Sequence, residues 1–234
     1  MAPSSEMTLG RGRSPDRDRD RDRASESIHV QTNPRPTLIS KLARVALNLA
    51  GWRLLEQPLP GPRGIILAYP HTSNWDFIVG ILFKAAMGWE MRFWAKGSLL
   101  NIPVFGAWMR WVGAVPVNRS AASGLVQDTV LQMESSTHFW LALAPEGTRA
   151  YVNGWRMGFF HVWQSAQVPL GLAVIDYGRK EVGLKGFLYA REEEPDVAFR
   201  RIEAILDAPI GRRPNLASPV TPYQRESKDE TTSP

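Results

Sequence analysis

The sequence predicts an α/β protein: a single layered domain with a mixed or largely parallel sheet flanked by helices. Two observations carry this. Short apolar runs alternate with amphipathic stretches from Gly64 to Leu206, and such alternation builds a sheet with helices on its faces. The chain has 234 residues, a length that suits one domain plus tails, and no internal repeat interrupts the pattern.

Residues 1–36 read as a disordered tail. Their apolar content is low and Asp16–Arg23 alternates in charge sign, so burial cannot offset the conformational entropy of ordering them. The charges nearly cancel, which makes a poor polybasic anchor. The domain is expected over 37–213, opening with an amphipathic helix at 37–56 in which Leu38, Leu42, Val45, Leu49 and Trp52 recur at spacings of four and three. That stripe fits a helix packed on the core. It fits equally an interfacial helix whose Lys41, Arg44 and Arg53 meet lipid headgroups.

A buried strand follows at Gly64–Tyr69, after a Pro- and Gly-rich turn, and then a helix over Trp75–Met87. Met91–Ala95 is strand-like, Val104–Val112 helical and Ala114–Val117 a short strand. Leu125–Ser135 reads as a helix before the strand Phe139–Ala144. Arg156–Ala166 is helical, Pro169–Tyr177 a strand with a hairpin partner at Glu181–Leu188, and Asp196–Leu206 the last helix. Residues 214–234, rich in Pro, Ser, Thr and charge, read as a loose C-terminal tail.

The formal net charge is +5 and the pI about 9.7, a balance that suits an anionic partner. Nine tryptophans shift the expectation toward a membrane surface, where indoles are stable at headgroup depth. No stretch offers about 20 uninterrupted apolar residues for a transmembrane helix, and the N-terminus lacks a signal-peptide pattern. The expectation is a cytoplasmic protein lying peripherally on the membrane. Nucleic acid is not expected as a partner, because the basic residues are scattered and no recognition motif is present. Cysteine is absent, which excludes disulfides and a Cys nucleophile. His29, His138 and His161 show no metal-ligand spacing, so no metal site is expected.

Three segments could carry chemistry. In Tyr69-Pro70-His71-Thr72-Ser73-Asn74-Trp75-Asp76-Phe77, five residues along an ideal helix turn about 140°, so His71 and Asp76 cannot share a helical face. With His71 in the loop and Ser73 or Asn74 as N-cap, Asp76 falls in the first turn and can reach back to the imidazole. A carboxylate on one ring nitrogen fixes the tautomer and leaves the other nitrogen as a base. Otherwise Asp76 simply favours the helix dipole. The second segment is Ala144-Pro145-Glu146-Gly147-Thr148-Arg149, at the end of an apolar strand where α/β folds place ligands. Gly147 permits close backbone approach, Thr148 offers a hydroxyl and Arg149 a planar fork suited to phosphate, with Glu146 orienting Arg149 or bracing the loop. The third is the strand Ala114–Val117 continuing into Asn118 and Arg119, a cation that could share a phosphate with Arg149.

In order and spacing, His71-x4-Asp76, the strand ending at Arg119, the Pro145–Arg149 block and Val168-Pro169-Leu170 resemble the four blocks of the glycerol-phosphate and lysophosphatidate acyltransferase (PlsC-like) family over about residues 64–180. His71–Phe77 and Gly154–Phe160 look like a small bacterial branch of it. The resemblance implies a PlsC-like fold and an enzyme of phospholipid biosynthesis. Such an enzyme moves a fatty acyl group from an acyl-CoA or acyl-carrier protein to a lysophospholipid hydroxyl, with 1-acyl-glycerol-3-phosphate as the default acceptor. His71 would be the general base and Asp76 its support. Arg119, Glu146, Gly147, Thr148 and Arg149 would bind the acceptor, and Lys96 matches a basic residue often found between the first two blocks. No cofactor is implied beyond the acyl-thioester co-substrate.

Two departures stand out. Asn118 replaces the acid that commonly precedes the second-block arginine, and Ala150 the serine that often follows the third-block one. Both bear on the acceptor, and they leave open another lyso-lipid acceptor or a catalytically degenerate lipid- or acyl-chain-binding protein of the same fold.

Overall fold

The computed structural model describes residues 37–117 and 122–223. The expected tail at 1–36, Arg119 and the last part of the C-terminal tail, 224–234, lie outside the described residues. The elements run α1 (Leu38–Leu49), β1 (Arg53–Leu55), β2 (Arg63–Tyr69), α2 (Asn74–Met87), β3 (Arg92–Lys96), α3 (Gly97–Leu100), α4 (Phe105–Trp111), β4 (Ala114–Val117), α5 (Ala122–Ser135), β5 (Phe139–Leu143), α6 (Gly158–Ala166), β6 (Leu170–Asp176), β7 (Glu181–Leu188) and α7 (Pro195–Leu206), then a 3-10 turn at Pro214–Leu216.

The strands form one sheet in the order β1-β7-β6-β2-β5-β3-β4. β6, β2, β5, β3 and β4 are mutually parallel, and β7 returns antiparallel to β6. The expected α/β layered sheet is therefore present, mostly parallel with one hairpin. β2 is central, buried on both faces and apolar along nearly its whole length, as parallel strands covered on both sides must be. Ile65, Leu67 and Tyr69 point into a core shared with Phe159, Trp163 and Phe199 of α6 and α7. Ile66 points the other way, into a core with Leu47 of α1 and Val79 and Phe83 of α2. Each fully buried side chain of this kind is worth ~1.5–3 kcal/mol relative to exposure.

Element ends follow local chemistry. Ser73 and Asp76 make a capping box at the start of α2, and Gly88 in the left-handed conformation ends it. Pro195 stands in the first turn of α7, where its missing N–H costs nothing.

Two expectations are corrected. Helix α1 stops at Leu49, because the chain turns at Ala50 and Gly51 and Arg53–Leu55 pairs with β7. Its heptad-like stripe also faces outward: Leu38 is 73% exposed, Leu42 60%, Val45 53% and Leu49 84%, while Ser40, Ala43 and Leu47 are buried. Ser40, Ala43 and Leu47 make the inner face, which packs α1 against α2, and the outer leucines are left exposed. The second correction concerns the C-terminal tail, which is not loose from residue 214. Residues 208–223 form a strap across the domain: Ser218 is fully buried, the Trp155 N–H donates to the Thr221 carbonyl while the Trp155 carbonyl accepts from the Tyr223 N–H, and Arg156 lies over the Tyr223 ring.

Candidate active site

Because β5, β2 and β6 are adjacent and parallel, the loops that leave their C-terminal ends share one edge of the sheet, the edge at which α/β folds bind ligands. His71 follows β2, Glu146–Arg149 follow β5 and Tyr177 follows β6. The strap adds residues 210–218 to the same edge.

His71 Nδ1 lies 3.7 Å from Asp76 Oδ2, longer than a hydrogen bond but with the imidazole directed at the carboxylate. Asp76 is 1% exposed and heavily engaged. Its Oδ2 accepts from the backbone N–H of Thr72 at 2.6 Å and of Ser73 at 2.7 Å, and its Oδ1 accepts from Tyr177 Oη at 2.9 Å. The loop-then-helix arrangement expected from the spacing is present, with Ser73 as the N-cap. Burial lowers the His71 pKa; Asp76 opposes this and Arg149 adds to it. The ring is thus held neutral at neutral pH, and no described residue hydrogen-bonds Nε2. A neutral imidazole oriented at Nδ1 and open at Nε2 can accept a proton.

Glu146 differs from its expected place among substrate-binding groups. It is 1% exposed, and both carboxylate oxygens are used within the fold: Oε2 accepts from the His71 backbone N–H at 2.6 Å and Oε1 from that of Ser218 at 3.0 Å. It does not contact Arg149; it braces His71. Burial raises its pKa, with the bonds from Ser218 and His71 working against the rise. Gly147 has φ of +69°, which favours glycine and turns the chain out of the braced position. Thr148 Oγ1 accepts from the Ala150 N–H, closing a short turn. Arg149 is exposed and bonds Asn74 Oδ1, beside the start of α2. Lys96 is exposed at the C-terminal end of β3, on the same edge of the sheet but separated from β2 by β5.

Sequence reading missed two contributors. Tyr177 donates to Asp76, and burial, with Asp76 next, raises its pKa so that it stays a donor. Its signal was available: a hydroxyl at the end of a strand that shares this sheet edge. The strap had none, since its composition reads as tail. Yet Arg213 N–H donates to Thr72 Oγ1 at 3.2 Å, and the Ser218 carbonyl accepts from Tyr69 Oη at 2.9 Å. Burial, with Glu146 and Glu203 adding, pushes the Tyr69 phenol up to about 12, so it too remains a donor.

A sheet edge that gathers an open imidazole, a buried carboxylate and an arginine has the groups a transfer or hydrolysis reaction needs. The family model described as Acyltransferase matches residues 55–174, more than half of the chain. The chain belongs to this acyltransferase family and is an acyltransferase. It is also similar to the crystal structure of the 1-acyl-sn-glycerophosphate (LPA) acyltransferase PlsC from Thermotoga maritima, at 16% identity and a TM-score of 0.48, covering 72% of this chain and 75% of that one. None of the curated proteins compared gives a match. Among the described residues no helix is long and apolar enough to cross a membrane, and no cluster of three metal-ligating side chains occurs.

Proposed function

We propose that this enzyme transfers a fatty acyl group from an acyl thioester, acyl-CoA or acyl-carrier protein, to the free hydroxyl of a lysophospholipid, with 1-acyl-glycerol-3-phosphate as the acceptor. The observation that carries the reading is the neutral His71 imidazole aimed at buried Asp76, with Arg149 beside the same helix start. His71 Nε2 takes the proton of the acceptor hydroxyl as its oxygen attacks the thioester carbonyl. Asp76 stabilises the imidazolium that forms. Collapse of the tetrahedral adduct breaks the C–S bond, and the imidazolium returns its proton to the departing thiolate. The products are a carboxylic ester and a free thiol, with no acyl-enzyme. Arg149, through its planar fork, would hold the acceptor phosphate.

A lipid acceptor needs a lipid surface, and the outward apolar side chains supply a contact for one. Leu38, Leu42 and Leu49 of α1, Trp75 and Ile78 of α2, and Phe105, Trp108 and Trp111 of α4 are all exposed. Phe77 of α2 packs on Trp108, which joins the α2 and α4 parts of this face. The reading is a peripheral enzyme resting on the cytoplasmic leaflet with this face toward the acyl chains.

Thiol release from palmitoyl-CoA with lysophosphatidate in vesicles, with the product identified by mass, tests the transfer. His71→Ala is expected to lower the rate by ~100- to 10,000-fold, the usual contribution of a positioned base. Phosphatidate formed at equal rates by wild type and variant would sink the role of His71. Failure of wild type across a panel of lyso-lipids and both donors would sink the acceptor class.

A further inference from the structure

Acyl transfer from a thioester to a lysophospholipid brings two phosphate-bearing molecules to one imidazole, since CoA and the prosthetic arm of a carrier protein both carry phosphate. The arginine that sequence blocks assign to phosphate and that the structure describes, Arg149, stands on the β5 side of β2, against Asn74. On the opposite, β6 side a second guanidinium reaches the same edge. Arg212 Cζ lies 5.3 Å from the Trp75 ring centroid and 5.8 Å from that of Tyr177.

The chain places Arg212 there by a close approach. A Cβ on Gly211 would meet Thr72 Oγ1 at 2.9 Å and Pro70 Cγ at 3.1 Å, so only glycine lets the strap lie directly on the residues either side of His71. Arg213 N–H then fastens it to Thr72. Arg44, Arg53, Arg179 and Arg201 are each paired with a carboxylate. Arg212 is exposed, and no described carboxylate forms an ion pair with it. Two aromatic faces fix its plane and leave most of its five donors open.

We propose that Arg212 binds a phosphate of the acyl-thioester donor on the side of His71 opposite Arg149, so that separate arginines hold the two anionic substrates across the base. This rests on the acyl-transfer reading. A base between two cations suits convergence from two directions: the acceptor hydroxyl arrives from the Arg149 side and the thioester carbonyl from the Arg212 side. The donor site therefore includes a segment that lies beyond the family-matched residues 55–174.

Calorimetric titration of coenzyme A into the full-length chain, alongside steady-state kinetics with each substrate varied, tests the assignment. Arg212→Ala is expected to weaken CoA binding ~10-fold, the size of one charge-assisted contact, and to raise KM for palmitoyl-CoA similarly. The loss should fall on that KM, not on KM for lysophosphatidate. Arg212→Lys, which keeps the charge but not the planar fork, should recover part of it, and both variants should melt with the wild type. Palmitoyl-carrier protein in the same titration covers the other donor. Unchanged affinity for both donors overturns the proposal, as does a rise confined to the lysophosphatidate KM, which would assign Arg212 to the acceptor. His71→Ala should bind CoA as the wild type does. A chain that transfers nothing yet loses CoA affinity in Arg212→Ala would reject the acyl-transfer reading while keeping the anion site.

Discussion

Burial and the Asp76 carboxylate pull the His71 imidazole in opposite directions, and burial wins, with Arg149 on its side. The consequence is a pH profile. A base must be unprotonated in the free enzyme, so kcat/KM should rise with pH through an ionisation below the usual histidine value of about 6.5 and be level at neutral pH. Asp76→Asn removes the one charge that favours the protonated ring. It should move that ionisation further down and lower kcat even on the neutral-pH plateau, whereas an aspartate that only tunes the ring's charge would shift the midpoint and leave the plateau where it was. Initial rates from pH 5 to 8 decide between them. The carboxylate does have a structural duty as well, since it receives two backbone N–H groups and the Tyr177 hydroxyl. The His71–Asp76 spacing was enough to place these two groups. Nothing within the motif could show that the third partner comes from residue 177.

Helix α1 shows where periodicity is informative and where it stops. The spacing of Leu38, Leu42, Val45 and Leu49 identifies a helix with one apolar face but not the surface that face meets. The structure packs the opposite face, Ser40, Ala43 and Leu47, inward and leaves the stripe exposed. Replacing Leu42 and Leu49 together with Gln should therefore leave the melting temperature nearly unchanged, because neither side chain is buried. Affinity for anionic vesicles, read by cosedimentation, should fall ~100-fold or more, since each leucine withdrawn from full burial in lipid forfeits roughly 1.5–3 kcal/mol and about 1.4 kcal/mol is tenfold. A drop in melting temperature with intact vesicle binding would mean that the stripe packs within the protein. Tryptophan count divides similarly: Trp52, Trp89, Trp140, Trp155 and Trp163 are core residues, while Trp75 and Trp111 are exposed. Composition alone could not apportion them.

At the scale of the whole molecule, the alternation of strands and helices was legible because a parallel sheet buried on both faces demands continuous apolar strands. Glu181–Leu188 and Ala114–Val117 were delimited to the residue. β1 was not, being three residues long and hidden in a helical pattern. The strap was also missed, because its hold on the domain is made by backbone groups that carry no sequence signal: Ser218 N–H to Glu146, the Ser218 carbonyl to Tyr69 and Arg213 N–H to Thr72. Truncation after Arg213 would leave Glu146 Oε1 without its partner in a buried site. Leaving a buried acceptor unsatisfied costs ~1–3 kcal/mol, so the melting temperature should fall by several degrees and activity with it. Thermal melts of the truncated and complete chains check this. Equal melting temperatures would show that the domain ends at 213.

The strap also comes later in synthesis than the sheet it fastens. Residues 208–223 follow every strand of the sheet, whereas His71 precedes five of them, and domains assemble as the ribosome delivers them. A nascent chain can therefore build its whole sheet, with Glu146 and Asp76 already holding residues 71–73, before the strap arrives. The strap then adds the Arg213 and Ser218 contacts to Thr72 and Glu146, so a proteolytic nick just ahead of it is expected to loosen this loop while the sheet stays folded.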